Sequence, residues 1–243
     1  MKRLKRWQKI ALGVIITLAL LVSGGLIYLN SLTYPPAENA VSAAKVSQND
    51  AGYLLFEAPE ESQTNLIFYP GALVDAESYS VWAKEVAAAG YNVYIVKMPL
   101  DLAVLGGNKA EEIIEQKPQQ KYILAGHSLG GVMASRFAAE HANQVAGMIF
   151  LASYPDEKGS LKQTELPVLS ITASNDKVLN WDSYDAAKKY LPKKADYTTI
   201  DGGNHGGFGS YGKQKGDGKA EITNDAQQQE VSRKIVDWLK EIN

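Results

Sequence analysis

The pentapeptide Gly126-His127-Ser128-Leu129-Gly130 fits the pattern G-x-S-x-G, which lifts a serine hydroxyl out of a tight strand-to-helix turn. The apolar run Tyr122-Ile123-Leu124 precedes it and a small-residue helical pattern, Leu129 to His141, follows. Side chains at Gly126 or Gly130 would collide with the neighbouring strand or helix, and Gly131 lets that helix pack closer. The amides at the helix head point toward the same spot, where positive potential favours an oxyanion. A hydroxyl is a weak nucleophile until a base takes its proton. The chain has three histidines to offer. His127 adjoins the serine and is expected to point away from it as a packed elbow residue. His141 lies thirteen residues further along the helix, about 20 Å away at helical rise. His205 follows the last strand, in a loop that can come over the serine, and is the expected base. The absence of cysteine removes disulfides, thiol nucleophiles and thiolate metal sites. No group of His, Asp or Glu stands at ligand spacing, so no metal and no cofactor is expected.

Such residues need a scaffold, and the body of the chain reads as alternating strands and helices. Gly52 to Ala58 and Asn65 to Tyr69 read as strands bounded by Pro59 and Pro70. Asp75 to Ala89 carries Tyr79, Trp82, Ala83 and Val86 on one helical face, with Gly90 as its stop. Strand Tyr91 to Val96, a short helix Lys109 to Gln116 and strand Lys121 to Ala125 come next. After the small-residue helix lie strands Val145 to Ala152 and Val168 to Thr172, helix Trp181 to Tyr190 and strand Tyr197 to Ile200. A closing amphipathic helix from about Asp225 places Val231, Ile235, Trp238, Leu239 and Ile242 on one face. Trp82, Trp181 and Trp238 read as core or helix-face residues. This alternation, with near-continuous apolar strands, predicts an α/β fold: a mostly parallel sheet covered by helices on both faces. Residues 51–243 form one domain in this reading, a length that a single core accommodates.

The formal charge of -2 conceals an asymmetry. Five of the 25 basic residues, Lys2, Arg3, Lys5, Arg6 and Lys9, precede residue 31 with no acid among them, which leaves a body with 20 basic and 27 acidic side chains. An acidic body argues against nucleic acid as a partner. Ile10 to Leu29 is an uncharged apolar run long enough for the hydrocarbon layer. The basic segment 1–9 is expected in the cytoplasm, residues 10–29 across the membrane as a signal anchor, and the domain outside. Secretion or periplasmic release after signal cleavage is the alternative; Ser23-Gly24-Gly25 could serve as a cleavage site, but the apolar run continues past it. Residues 30–50, with Pro35-Pro36, read as a linker.

From about Asn65 to its end the chain resembles an α/β-hydrolase of the small, lidless, dienelactone-hydrolase-like group. The resemblance rests on Phe68-Tyr69-Pro70-Gly71-Ala72, on the Gly126–Gly131 elbow and on Gly203-Asn204-His205-Gly206-Gly207-Phe208-Gly209-Ser210-Tyr211-Gly212. It departs where many of that group use a cysteine nucleophile, so their lactone substrate is not carried over. The likeness implies the chain order serine, acid, histidine. Asp176, just past strand Val168 to Thr172, fits it as the acid that orients the imidazole, with Asp201 and Asp182 as rivals. Two backbone amides should hold an oxyanion, Leu129 and, from the loop after strand Asn65 to Tyr69, Ala72 or its neighbour Gly71 or Leu73. Members often carry His-Gly where this chain has Pro70-Gly71, a change that an amide role tolerates.

About fourteen residues separate strand Val145 to Ala152 from Pro167, too few for a helical cap, so the site should be open. In the Gly-rich stretch 201–218, Phe208 and Tyr211 are expected to wall the acyl pocket. The reading is a serine hydrolase acting through an acyl-enzyme, first a carboxylesterase on small or short-chain acyl substrates. Thioesterase, peptidase or acyltransferase chemistry on cell-envelope material would use the same residues. A non-catalytic, membrane-anchored interaction module is the rival from another class.

Overall fold

The computed structural model describes residues 6–242. Lys2, Arg3 and Lys5 of the expected cytoplasmic segment lie outside the described residues. The described chain forms two units, one ending at Thr33 and one beginning at Tyr34. The first is a single helix, α1 (Arg6–Leu32). Its stretch Val14–Leu32 is long and apolar enough to cross a membrane and none of it is buried, properties that a signal sequence shares.

The second unit holds helices α2 (Glu38–Ala44), α3 (Ser80–Ala88), α4 (Lys109–Ile114), α5 (Leu129–Glu140), α6 (Trp181–Ala187) and α7 (Asn224–Ile242). Its strands are β1 (Gln48–Asn49), β2 (Tyr53–Phe56), β3 (Thr64–Tyr69), β4 (Asn92–Val96), β5 (Lys121–His127), β6 (Gly147–Leu151), β7 (Val168–Ala173) and β8 (Asp196–Ile200). They form one sheet in the order β1-β2-β4-β3-β5-β6-β7-β8. The pairs β1–β2 and β2–β4 are antiparallel and all the others parallel. Successive strand residues point to opposite faces, and both faces are apolar. Leu66, Phe68, Ile123 and Ile149 pack with Trp82 and Val86 of α3 and Val231 and Ile235 of α7. Ile67, Tyr69, Leu124 and Phe150 pack on the other side with Ile113 and Ile114 of α4 and Phe137 of α5. The expected layered sheet is therefore present, and residues 152–167 between β6 and β7 contain no helix.

The expected linker, 30–50, is corrected by the structure from Tyr34 onward. Tyr34 donates its N–H to the Leu73 carbonyl at 2.7 Å and accepts from the Asp75 N–H at 3.2 Å. Helix α2 buries Ala40 and Ala43, and β1 adds an edge strand to β2. Small alanines let α2 approach the body closely, but seven residues are too few for a readable periodicity. The parallel arrangement puts the carboxyl ends of β3 and β5 to β8 on one edge of the sheet, which is where ligands bind in such folds.

Candidate active site

Ser128 sits between β5 and α5 with φ 51° and ψ −125°. This is a region that non-glycine residues rarely adopt, and it persists only where the surroundings over-determine it. The surroundings do so from both sides of the peptide. Ser128 N–H donates to the Leu151 carbonyl at 3.0 Å, and Ser153 Oγ donates to the Ser128 carbonyl at 2.6 Å. A Cβ at Gly126 would overlap the Gly130 and Gly131 backbone, one at Gly130 the Tyr69 and Pro70 carbonyls, and one at Gly131 the Ser153 hydroxyl. The glycines thus let the elbow lie against β3 and β6.

His205 and Asp176 meet although the chain separates them by 29 positions: Nδ1 lies 2.8 Å from Asp176 Oδ2. Both residues are buried. The second carboxylate oxygen, Oδ1, accepts from the amides of Val178 at 2.9 Å and Leu179 at 2.8 Å. An ionised carboxylate only accepts, so this contact places the imidazole proton on Nδ1 and leaves Nε2 with a free lone pair. Nε2 is buried and has no hydrogen-bond partner among the described residues. Asp201 and Asp182, the rivals for the acid, are exposed. His141 is turned back on its own helix, with Nδ1 3.0 Å from the Phe137 carbonyl and its ring stacked on Phe137.

The turn after β3 presents three successive amides. Gly71 N–H donates to Tyr79 Oη at 2.9 Å and Leu73 N–H to the Asp101 carbonyl at 2.8 Å. Ala72 N–H, between them, donates to none of the described residues. Leu129 N–H, at the first position of α5, is one of the orphan donors at a helix start.

Ser128, Leu129 and His205 line one cavity of about 260 Å³, with Val132, Val178 and Leu179 as its apolar wall and Tyr154 and Asn180 among its polar residues. Phe208 and Tyr211, expected to wall this pocket, do not line it. Phe208 is fully buried, its ring centroid 5.6 Å from that of His127, and Tyr211 packs on Tyr34 in the same core. The wall comes instead from α5 and from the loop that carries Asp176. Phe208 and Tyr211 are large and mostly apolar, and burial satisfies them better than an open site.

Several residues that hold the site escaped the sequence reading. Gln227 of α7 clamps the backbone before the histidine: Oε1 accepts from Asn204 N–H at 3.0 Å and Nε2 donates to the Asn204 carbonyl at 2.8 Å. Gln228 Nε2 donates to the Gly207 carbonyl at 2.7 Å, so α7 grips the loop on both sides of His205. Asp217 Oδ2 accepts from Gly206 N–H at 2.8 Å. The only signal in the sequence was a pair of glutamines on the apolar side of α7. Replacing Gln227 with Ala strands a part-buried N–H and a part-buried carbonyl, and is expected to cost about 1–2 kcal/mol in urea unfolding. A loss under about 0.5 kcal/mol would show that the clamp carries no weight.

His127 is packed, as expected, but against His205. Its ring centroid is 4.5 Å from that of His205, and its Nδ1 lies 2.9 Å from Tyr79 Oη. Tyr79 Oη already accepts from Gly71, so its own proton goes to His127 Nδ1. Burial first, then the neighbouring His205, pushes the His127 pKa well below its usual value. Its folded pKa is depressed, so the unfolded chain binds the proton that the folded chain refuses as pH falls below about 6.5. Stability is therefore expected to fall by up to about 1.4 kcal/mol per pH unit below that point. His127→Gln, which keeps an acceptor for Tyr79, should flatten that slope in urea titrations between about pH 6.5 and 5. An unchanged slope would assign it to other groups.

The sequence model of the Alpha/beta hydrolase family matches residues 65–229. No curated protein matches the chain in sequence. Among solved structures, MGS-MChE2, an alpha/beta hydrolase enzyme from the metagenome of lagoon sediments at Mar Chica, Morocco, is similar with TM-score 0.61 and 17% identity, covering 80% of this chain and 98% of its own. A soluble variant of monoglyceride lipase from Saccharomyces cerevisiae is similar with TM-score 0.61 and 11% identity, covering 81% and 94%. The esterase domain of a Rhodothermus marinus protein is similar with TM-score 0.60 and 11% identity, covering 79% and 93%. At these identities the likeness to the three structures is one of fold.

Proposed function

Because this chain belongs to the alpha/beta hydrolase family, we propose that it is a serine hydrolase that cleaves carboxylic esters of small or short-chain acyl groups. The observation that carries the reading is the buried His205–Asp176 contact, with Nε2 unpartnered among the described residues and His205 lining the same cavity as Ser128. Ser128 Oγ attacks the carbonyl carbon while His205 Nε2 takes its proton. The oxyanion that forms is held by the amides of Ala72 and Leu129. As the tetrahedral species collapses, His205 returns the proton to the leaving alcohol and the acyl group stays on Ser128. Water then attacks the acyl-enzyme, His205 accepts its proton, and the carboxylic acid leaves with Ser128 restored. Asp176 holds the imidazole in the tautomer that the cycle needs and stabilises its cation. Esterase chemistry is favoured by the missing cap between β6 and β7 and by the esterase and lipase neighbours. The apolar N-terminal run with its basic flank supports a single-pass anchor and an extracytoplasmic domain.

The test is labelling of the full chain in detergent with a fluorophosphonate probe, beside Ser128→Ala. Labelling that disappears in the variant is the expected result. A folded wild-type chain that does not label would discard the hydrolase reading in favour of a non-catalytic interaction module.

A further inference from the structure

We propose that the sheet edge carrying Ser128 docks on the lipid bilayer and that its substrate is an acyl amphiphile taken from that surface; the substrate part rests on the serine-hydrolase reading. The apolar run closes at Leu29, and α1 continues to Leu32. Three helical steps rise about 4.5 Å, and the two steps on to Tyr34 add at most about 7 Å. Tyr34 is bonded to Leu73 and Asp75, directly after Ala72. Where α1 spans a membrane, the turn beside the reacting serine is thus tethered within about 12 Å of chain from the hydrocarbon edge.

The same edge presents exposed apolar side chains. Leu100, Val104 and Leu105 are 46%, 51% and 54% exposed. They belong to the connection from β4 to α4, which the Leu73–Asp101 hydrogen bond joins to the same turn. Seven large apolar side chains are exposed on the described residues from Tyr34 onward, and these three stand within six positions. The loop after β8 adds Lys213, Lys215 and Lys219, all exposed and none in an ion pair with the described residues. Lys215 N–H donates to Tyr34 Oη at 3.2 Å, which puts this basic loop at the tether. Of the carboxylates at this edge, Asp75 accepts from the Glu77 amide and Asp217 from those of Gly206 and Gly218, Glu112 pairs with Lys109, and Glu111 lines the depression that Val104 and Leu105 share. Apolar side chains beside unpaired lysines, on an otherwise acidic body, suit an anionic lipid surface.

The chain lacks cysteine, so single cysteines report cleanly. Full chain carrying Leu105→Cys, Lys215→Cys or, on the opposite sheet edge, Lys117→Cys is labelled with a fluorophore. Each is reconstituted in phosphatidylcholine–phosphatidylglycerol vesicles containing a nitroxide lipid. Quenching at 105 and 215 but not at 117 is expected; no quenching at 105 and 215, or equal quenching at all three, overturns the docking surface. The double variant Leu100→Asp, Leu105→Asp should lose at least about 10-fold in turnover of a long-chain ester dispersed in the bilayer and keep its turnover of a water-soluble ester. Equal effects on the two esters overturn the substrate assignment. Selective quenching in a chain that fails to take the fluorophosphonate would support docking and reject the hydrolase reading, so the two fail separately.

Discussion

Ser128→Ala is expected to lower kcat for a short-chain aryl ester by about 10⁵–10⁶-fold, to a remainder due to the oxyanion amides and substrate binding alone. The loss is that large because the proposed cycle runs through a covalent bond to Oγ. The fold should survive the change. Ala keeps the Cβ, and the two bonds that pin the residue use its backbone N–H and carbonyl, not its hydroxyl. The φ of 51° strains alanine as it strains serine. A Ser128→Gly chain should be inactive as well, yet more stable by about 1 kcal/mol, because glycine adopts that φ freely. Steady-state kinetics with urea unfolding would separate these terms. Turnover within 10-fold of wild type in a well-folded Ser128→Ala chain would remove the nucleophile assignment.

Asp176→Asn should lower kcat by about 10⁴-fold. Oδ1 of the asparagine can keep the Val178 and Leu179 amides, so the loop should hold its shape. That orientation turns the amide NH₂ toward His205 Nδ1, which must then accept instead of donate. The imidazole proton moves to Nε2, and the base loses the lone pair that takes the serine proton. Asp201→Asn, on an exposed carboxylate, should leave kcat within about two-fold. If Asp201→Asn crippled turnover and Asp176→Asn did not, the acid would be misassigned despite the 2.8 Å contact.

Much of this fold was legible because its signals are local. Tyr122 to Leu124, the glycines around Ser128 and the small-residue helix lie within about twenty consecutive positions, and period and sterics read them without reference to the rest of the chain. The same holds for the apolar cores of β3, β6 and β7, whose two-sided burial erases alternation and marks a covered parallel sheet. That His141 stands apart from Ser128 followed from position along that scaffold, since a residue far down α5 cannot return to its start.

Tertiary packing decided the rest, because it joins residues that no local pattern relates. The reach of Gln227 to Asn204 crosses 23 positions and that of Tyr79 to His127 crosses 48. Neither partner announces the other in the sequence. Which amide of the turn after β3 stays free depended on Tyr79 and Asp101 occupying its neighbours. Phe208 and Tyr211 looked like pocket residues by nearness to His205, yet burying large rings in the core outweighed that proximity. The residues from Tyr34 to Asn49 read as a tether because alanines and polar side chains carry no period. Contacts with the turn after β3, with α3 and with β2 make them part of the domain. The sequence by itself determined the parallel sheet and the residues proposed for acyl chemistry, since local sterics and burial periods are written in neighbouring residues. The tertiary structure alone decided which of them meet, because such contacts depend on how distant segments share one packed interior.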